Sequence, residues 1–441
     1  MGLCIRNARV MDPGTNLDRV SDIFIEGDRI TDIIPSSSGQ NHSIPGDFTI
    51  IDADGLIAAP GLIDVHVHFR DPGFTYKEDI FTGSKAAVCG GYTTVVLMAN
   101  TNPAVDNPDT LKYILDKSRE AEKITPLHIL SAATVSRGMK GLEINDFDTL
   151  AKNGAAGFTD DGKPIMDEKL LREAFIRAAK LNLPVSLHEE DPSFITQNGI
   201  NAGKSALKLG LTGSPREAEI SLIERDLNIA TKLYTEEGIA ADVNIQHIST
   251  KEGVELVRKY RSINPHVHAE ATPHHFSLTE DDVITYGTLA KMNPPLRCEE
   301  DRLAIIEGLK DGTIEIIATD HAPHSKEEKS RDFADAPSGI IGLETALALG
   351  ITNLVKPGHL SILELIRKMT DGPANLYRLQ SGISVGGPAD IVLFNPNEQY
   401  TVGSFNSKSD NSPFTGMNLY GVIHATICGG EISYLRPDQN K

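Results

Sequence analysis

The stretch LIDVHVHF at residues 62–69 is the part of the sequence that decides the fold. It is a short apolar run that contains two histidines, and such runs are typical of buried strands. Alternate residues on a strand share a face, so His66 and His68 point together to the same side. The spacing therefore predicts a strand that presents two imidazoles, which is half of a typical metal site.

Similar strand-like segments recur between about residues 56 and 375, and amphipathic helical segments lie between them. Two of the helical segments are clear, at residues 167–182 and 217–237. Strands that alternate with helices in this way predict a (β/α)8 barrel of the TIM type, an α/β fold. The eight strand candidates are LIDVHVHF, TTVVLMAN, PLHILSAAT, AAGFTDD, PVSLHEE, VNIQHIS, HVHAEAT and IEIIATD.

The two ends of the chain show a different pattern, in which short β-like runs are broken by Gly, Asp and Pro. We predict that residues 1–55 and residues 376–441 form the two parts of one small β-sandwich domain. The metal-dependent barrel, residues 56–375, would then lie between them. With 441 residues, the chain is long enough for a barrel of about 250 residues and such a satellite domain.

Charge and cysteine content restrict the partners and the compartment. The formal net charge of −19 disfavours nucleic acid and anionic lipid as partners. The sequence has no run of about 20 apolar residues and no apolar secretory segment at its start, so we expect neither a membrane partner nor secretion. Cys4, Cys89, Cys298 and Cys428 stand apart, without a CxxC pair. Isolated thiols are typical of a reducing compartment, and the expected location is the cytoplasm.

Polar side chains lie at the carboxyl ends of most of the predicted barrel strands. These ends open onto one face of a barrel, where barrel active sites sit, so residues as far apart as His66 and Asp320 would converge. The polar residues at the strand ends are His66, His68, Asn100, Asp160, Asp161, His188, His247 and Asp320. Four more histidines are expected near the same opening, without an assigned role: His268, His274, His275 and His321.

These residue types indicate a metal centre. Imidazole and carboxylate ligands without thiolate suit zinc, and they also suit cobalt, manganese and iron. A carboxylate can bridge two ions through its two oxygens, and Asp161 is the predicted bridge. Asp160 is predicted to be structural, because neighbouring strand residues face opposite ways. We predict two zinc ions per chain, bridged by Asp161 and by a hydroxide that acts as the nucleophile. The predicted ligands are His66, His68, Asp161, His188, His247 and Asp320.

Two stretches carry a family likeness. DVHVHFRDP at residues 64–72 and ATDHAPHSKEEK at residues 318–329 resemble the two signature stretches of the dihydroorotases, in the amidohydrolase superfamily. The likeness covers most of the chain and is greatest to the bacterial class whose bridging ligand is Asp. Hydantoinases and other dihydroorotases use a carboxylated Lys on the fourth strand, and no Lys stands at that strand end here. The resemblance implies reversible hydrolysis of (S)-dihydroorotate to N-carbamoyl-L-aspartate, in the de novo biosynthesis of pyrimidines. Shorter matching stretches are NTNP, FTDDG, LHEED and IGLET.

The resemblance also implies a role for each candidate residue. Asp161 would be the bridge, because it lies 27 positions (188 − 161) before His188, as in the family pattern. Asp320 would be the catalytic residue, which takes a proton from the hydroxide and delivers it to the leaving ring nitrogen. The implied ligands are His66, His68 and Asp320 for one ion and His188 and His247 for the other.

The substrate contacts are implied in the same way. Arg70 and Asn100 would hold the substrate carboxylate, since the planar fork of Arg makes two parallel bonds to such a group. The backbone of Ser338 and Gly339 would touch the ring amides. The implied substrate contacts are His68, Arg70, Asn100, Asn293, His324, Ser338 and Gly339.

Two other functions are weighed against this one. An allantoinase or hydantoinase-type cyclic amidase would share the barrel and the metals, but Asp161 and the pair Arg70 and Asn100 argue against a hydantoinase. A non-catalytic scaffold partner of aspartate transcarbamoylase would be expected to lack ligands, and all six are present. For partners beyond the small-molecule substrate, a homodimer is the expectation. The resemblance also allows a complex with aspartate transcarbamoylase, which members of this class form.

Overall fold

The computed structural model describes residues 2–36, 46 and 48–437. The strands are β1 Gly2–Asp12, β2 Leu17–Glu26, β3 Arg29–Pro35, β4 Phe48–Asp52, β5 Ile57–Pro60, β6 Leu62–Val67, β7 Tyr92–Leu97, β8 His128–Ser131, β9 Val185–Leu187, β10 Val243–Ile245, β11 Val267–Ala271, β12 Ile316–Ile317, β13 Ile391–Thr401, β14 Asn418–Cys428 and β15 Glu431–Leu435. The helices are α1 Ile80–Cys89, α2 Pro108–Glu122, α3 Phe147–Lys152, α4 Glu168–Leu181, α5 Lys204–Lys208, α6 Glu217–Glu237, α7 Lys251–Arg261, α8 Pro273–Ser277, α9 Asp282–Tyr286, α10 Glu299–Asp311, α11 Lys326–Lys329, α12 Ala346–Gly350, α13 Ile362–Met369 and α14 Asp371–Tyr377. Single helical turns occur at Arg137–Met139, Gly287–Ala290 and Ile351–Val355.

A ring of parallel strands forms the centre of the molecule. Strands β6, β7 and β8 pair in one segment of the ring, and β9 to β12 pair in another. Single parallel bridges close the two gaps, because Phe158 pairs with both Ala133 and Val185, and Val67 pairs with His321. Phe158 therefore takes the place of the predicted fourth strand, and the predicted (β/α)8 barrel is confirmed.

The barrel helices begin and end where local chemistry favours it. Helix α2 has Pro108 at its first position and is capped by Asn107, whose side chain accepts from the Thr110 backbone N–H. Helix α4 is capped by Asp167 and ends at Asn182, which adopts a left-handed φ of 58°. Helices α4 and α6 occupy the two segments for which the sequence predicts amphipathic helices.

Strands from both ends of the chain form one sheet beside the barrel. Its order is β15-β14-β13-β5-β1-β2-β3, and β4 pairs with the first half of β1 on the same edge as β5. Strand β5 joins the two ends, because it runs parallel to β1 and antiparallel to β13. It lies within the segment predicted as barrel yet pairs in this sheet. The limits of the predicted domains, 1–55, 56–375 and 376–441, stay a prediction.

A buried carboxyl group joins the first and last barrel strands just below the carboxyl-end face. The Asp64 side chain accepts the backbone N–H groups of His66 and Thr319. Burial raises the pKa of Asp64 to about 7, although these hydrogen bonds oppose the shift. This contact fixes the distance between the strand that carries His66 and the strand that leads to Asp320.

Among the described residues, none of the helices is both long and apolar enough to span a bilayer.

Candidate metal centre

Four imidazoles and two carboxylates converge at the carboxyl-end face of the barrel. The first group forms around His66, whose Nε2 lies 3.5 Å from Asp161 Oδ1 and 3.5 Å from Asp320 Oδ1. His68 Nε2 lies 3.0 Å from the same Asp320 oxygen and 3.5 Å from Asp161 Oδ2. These atoms surround one point between two imidazoles and two carboxylates, as the ligands of a metal ion do.

The second group lies on the other side of Asp161. His188 Nδ1 is 2.9 Å from His247 Nε2, and two ring nitrogens at this distance either share a proton or ligate a common ion. Asp161 Oδ1 lies 3.6 Å from His188 Nδ1 and 4.0 Å from His247 Nε2. The Asp161 carboxylate thus stands between the two histidine pairs, where a bridging ligand is needed. Asp160 turns away and accepts the backbone N–H groups of Val135 and Ser136.

Three of the four imidazoles are held by the ring nitrogen that faces away from the centre. His66 Nδ1 lies 2.6 Å from Glu270 Oε1, and His68 Nδ1 lies 2.9 Å from Asn100 Oδ1. His188 Nε2 lies 3.2 Å from Glu190 Oε2. Partners of this kind hold the outer N–H and leave the lone pair of the other nitrogen for a metal. The outer contacts therefore fit a metal centre.

An unpartnered atom at the floor of the centre tests the fit independently. His66 Nε2 is buried and has no hydrogen-bond partner among the residues that the structure describes, although it faces two carboxylates at 3.5 Å. A buried polar atom without a partner is costly, so such atoms are rare in folded proteins. A cation between His66, Asp161 and Asp320 would satisfy this nitrogen and neutralise the two carboxylates. The donor set of imidazoles and carboxylates suits zinc and other first-row divalent metals.

The electrostatics keep Asp161 ionised. Burial would raise the pKa of Asp161, but the surrounding imidazoles outweigh burial and hold this pKa well below its usual range. Burial lowers the pKa of His247, and the neighbouring His188 and His66 lower it further, so that its imidazole is neutral. A neutral imidazole and an ionised carboxylate are the forms that ligate metals.

Strained backbone accompanies the centre. Arg70, His247 and Asp320 adopt positive φ values of 57°, 34° and 49°, respectively. Residues with a side chain adopt such values rarely and at some cost, and they cluster at functional sites. The strain places these side chains at points where the chain leaves a barrel strand.

A cavity of about 190 Å³ opens above the centre. All of the predicted substrate contacts line this cavity, and His68 is one of them. Four further predicted metal ligands also line it, whereas His66 does not. Two small residues, Gly162 and Ala322, complete the wall. The lining residues are His68, Arg70, Asn100, Asp161, Gly162, His188, His247, Asn293, Asp320, Ala322, His324, Ser338 and Gly339.

The wall opposite the metal centre is a connected polar surface. His324 Nε2 donates to the Ser338 carbonyl oxygen at 2.8 Å, and the Ser338 hydroxyl donates to Asn293 Oδ1 at 3.1 Å. Burial, aided by the charges of Arg70 and Lys77, lowers the pKa of His324 far below its usual value, so the imidazole is neutral. Asn100 also contacts the metal centre, because its amide bonds His68 and Asp161.

A buried lysine holds the loop that forms this wall. Lys329 Nζ donates to the carbonyl oxygens of Pro337 and Gly339, at 2.9 and 3.0 Å. Gly339 has a φ of 121°, and a Cβ added there would lie 2.6 Å from the Ala322 Cβ. The close approach of these two segments at the cavity therefore requires glycine.

Sequence reasoning missed Glu270 and Glu190, which hold His66 and His188. In the sequence, Glu270 could have been recognised as a carboxylate within the otherwise apolar strand segment HVHAEAT.

His268 was wrongly expected near the opening. It is the second residue of β11 and bonds Glu315 and Asp242, which lie before the neighbouring strands begin. Only residues near the carboxyl end of a barrel strand reach the active face.

The Glu270–His66 contact gives a first prediction. The Glu270→Gln variant should bind its metal about 10- to 100-fold more weakly, because the amide no longer draws the His66 Nδ1 proton towards itself. Equilibrium dialysis against a competing chelator measures this affinity. Glu315→Gln is the matched control, since it alters a similar Glu–His contact at the opposite end of the barrel. Equal metal affinities in the two variants would remove Glu270 from the metal centre.

Comparison with known proteins places this site in a family. The chain belongs to the amidohydrolase family, whose family model matches residues 57–433. Curated relatives cover almost the whole chain and are dihydroorotases. The protein from Clostridioides difficile strain 630 is 54% identical over 433 residues, which are 98% of this chain and 99% of the relative. That from Clostridium acetobutylicum is 49% identical over 435 residues, with the same coverage. The predicted resemblance to dihydroorotases is confirmed.

Solved structures show the same fold. The L-hydantoinase (dihydropyrimidinase) from Arthrobacter aurescens superposes with a TM-score of 0.82 at 25% identity, over 98% of this chain and 95% of that one. The D-hydantoinase (dihydropyrimidinase) from Thermus sp. gives a TM-score of 0.79 at 24% identity, over 99% and 97% of the two chains. The barrel and its flanking β-sandwich are therefore shared with these enzymes.

Proposed function

We propose that this protein is a dihydroorotase, which catalyses the reversible hydrolysis of (S)-dihydroorotate to N-carbamoyl-L-aspartate in pyrimidine biosynthesis. The observation that carries the proposal is the convergence of six candidate ligand side chains, five of which line a cavity that also contains an arginine. The full-length identity of 54% to a dihydroorotase supports the same substrate. A cyclic amide with a carboxylate substituent needs both a hydrolytic centre and a cation, and the cavity offers both.

Arg70 is the proposed partner of the substrate carboxylate. Its polar contacts among the described residues are the Pro323 carbonyl oxygen, which accepts from Nε at 3.3 Å, and His324 Nε2, which lies 3.4 Å from Nη2. Neither partner is anionic, so the partly buried guanidinium has no directly bonded counter-ion. A charge in such a place is costly unless an anion pairs with it. The substrate carboxylate would supply this anion and would orient the ring towards Asp320.

The chain's own residues divide the chemistry between them. When bound, divalent metal ions here would supply Lewis acidity and lower the pKa of a water ligand. Asp320 would accept the proton of the attacking water and deliver it to the ring nitrogen as the amide bond breaks. Arg70 would hold the substrate, and the Ser338–Gly339 backbone would contact the ring amides. Ring closure runs through the same contacts in reverse and consumes a proton, so acid favours it.

The finer parts of the proposal concern the metals and the assembly. We propose two zinc ions per chain, with Asp161 between them, and a cytoplasmic homodimer. A complex with aspartate transcarbamoylase is compatible with the proposal. Light scattering of the protein, alone and mixed with aspartate transcarbamoylase, tests both assemblies. A single-chain mass under all conditions would contradict the dimer.

The substitution Arg70→Met tests the carboxylate contact. We expect KM for dihydroorotate to rise about 10- to 100-fold with a smaller change in kcat, because a charged hydrogen bond to the substrate is lost. Steady-state kinetics give both constants. Arg331→Met is the control, since it removes a positive charge that acts on Lys77 from a residue that does not line the cavity. An unchanged KM in Arg70→Met would remove Arg70 from the substrate site.

The decisive experiment measures metal and turnover on one sample. The purified protein is analysed for metal per chain and assayed with dihydroorotate, allantoin and hydantoin, with and without added zinc. About two metals per chain and preferential zinc-dependent turnover of dihydroorotate are expected. Bound metal with preferential turnover of allantoin or hydantoin would replace the proposal with another cyclic amidase. Absence of both metal and turnover after zinc addition would favour a non-catalytic scaffold.

A further inference from the structure

A second cluster of metal-binding side chains lies at the opposite end of the barrel. His128 is the first residue of β8, Asp390 directly precedes β13, and Cys428 is the last residue of β14. One donor atom of each, an imidazole nitrogen, a carboxylate oxygen and the thiol sulfur, lies within 4.8 Å of the other two. Because β8 is a barrel strand while β13 and β14 belong to the flanking sheet, the cluster lies at the junction of the two parts.

The distances are compatible with a shared ion. His128 Nε2 lies 3.3 Å from Asp390 Oδ1, at the long end of the range for N–H···O hydrogen bonds. Nitrogen and oxygen ligands about 2.0–2.1 Å from a tetrahedral zinc ion are about 3.3–3.4 Å apart, so the observed separation matches a coordination edge. The Gly429 backbone N–H donates to the same Asp390 oxygen at 2.8 Å and fixes the carboxylate.

The third donor is a buried sulfur atom. Cys428 is 2% exposed, and its Sγ contacts the Thr93 carbonyl oxygen at 3.5 Å and also faces the His128 imidazole. Thiolate, imidazole and carboxylate together are a donor set that selects zinc-class ions.

The cluster leaves room for a solvent ligand. The His128 side chain is 41% exposed, so water reaches the outer side of the cluster while Cys428 closes its inner side. Three protein ligands with one open position form an exchangeable site, in contrast to closed structural sites with four protein ligands. An ion bound here would link the amino end of β8 to the ends of β13 and β14.

We propose that His128, Asp390 and Cys428 form a separate binding site for a zinc-class divalent ion, which clamps the flanking sheet to the barrel. This site does not depend on the proposed function, because it shares no ligand with the centre at the other barrel face. It also differs chemically, since the proposed ligands of that centre include no thiolate. The difference allows the two sites to be observed separately.

Cobalt substitution tests the site. The purified full-length protein is stripped of metal and reloaded with Co²⁺, and its near-ultraviolet absorption is recorded. We expect a thiolate-to-cobalt charge-transfer band in the unmodified protein and its loss in Cys428→Ser and in His128→Gln. Each variant should also bind about one ion per chain fewer than the unmodified protein. Cys298→Ser is the matched control and should retain the band.

The visible cobalt bands of the other centre serve as an internal control for folding. They should persist in both variants and show that the barrel is intact. Absence of the charge-transfer band from unmodified protein that carries these visible bands would overturn the proposal. Persistence of the band in Cys428→Ser would also overturn it, because the thiolate would then come from another cysteine. His128 is partly exposed, so His128→Gln should fold even if Cys428→Ser does not.

Discussion

The Asp320→Asn variant is expected to hydrolyse dihydroorotate about 10²- to 10⁴-fold more slowly than the unmodified protein. Asp320 Oδ1 lies 3.0 Å from His68 Nε2 and 3.5 Å from His66 Nε2, so the carboxylate borders both the metal centre and the cavity. An amide cannot accept a proton from the attacking water, and it is a weaker ligand than a carboxylate. Steady-state kcat and metal content, measured on the same preparation, check the prediction.

Metal content decides how the Asp320→Asn result is interpreted. Slow turnover with full metal content identifies Asp320 as the proton carrier, whereas equal loss of metal and turnover limits its role to that of a ligand. Asp191→Asn is the control. Asp191 is a buried aspartate shortly after barrel strand β9, and its carboxylate accepts the Ser193 backbone N–H. Near-normal kcat in Asp320→Asn would exclude both roles.

The Asp161→Asn variant should lose at least one of its metals. Asp161 offers Oδ1 to His66 and His188 and Oδ2 to His68, at separations of 3.5 to 3.6 Å, so both oxygens face imidazoles. An asparagine has only one oxygen and no charge to hold two cations. We expect metal affinity to fall at least about 100-fold, with turnover falling in parallel. Dialysis followed by elemental analysis gives the metal count.

The neighbouring Asp160→Asn variant is the matched control for Asp161. The Asp160 carboxylate accepts the Val135 and Ser136 backbone N–H groups, and burial raises its pKa to about 6. This variant should unfold at a lower temperature but retain its metals. Loss of metal from Asp160→Asn with retention in Asp161→Asn would reverse the assignment of the two residues.

The features that sequence alone predicted rest on short-range rules. Strand alternation places His66 and His68 on one face, and helical periodicity marks α4 and α6 within a residue of their observed ends. The convergence of strand ends then brings Asp320 to the same cavity. The short length of the fourth strand was not predicted. In the predicted segment AAGFTDD, Phe158 pairs with both neighbouring strands. Two residues later, the Asp160 carboxylate already accepts the backbone N–H groups of Val135 and Ser136.

Features that depend on contacts between distant segments were not visible in the sequence. Glu270 meets His66 across 204 positions of the chain, and no local pattern links the two. Lys329 donates to the Pro337 and Gly339 carbonyl oxygens. It lies in a highly charged stretch of the sequence, where a lysine is expected to be exposed to solvent. Asn100 bonds His68 and Asp161 across 32 and 61 positions of the chain, and the turn-like segment NTNP shows neither contact.

The pairing of β5 limits how this chain can be shortened. Only Gly61 separates β5 from β6, so the strand that carries His66 and leads to His68 continues directly from the flanking sheet. A fragment cut to residues 56–375 would leave β5 without β1 on one side and β13 on the other. The catalytic strand would then begin from an unpaired edge. The strands from both ends of the chain therefore support the strand that leads to the metal centre, although none of their described residues lines the cavity.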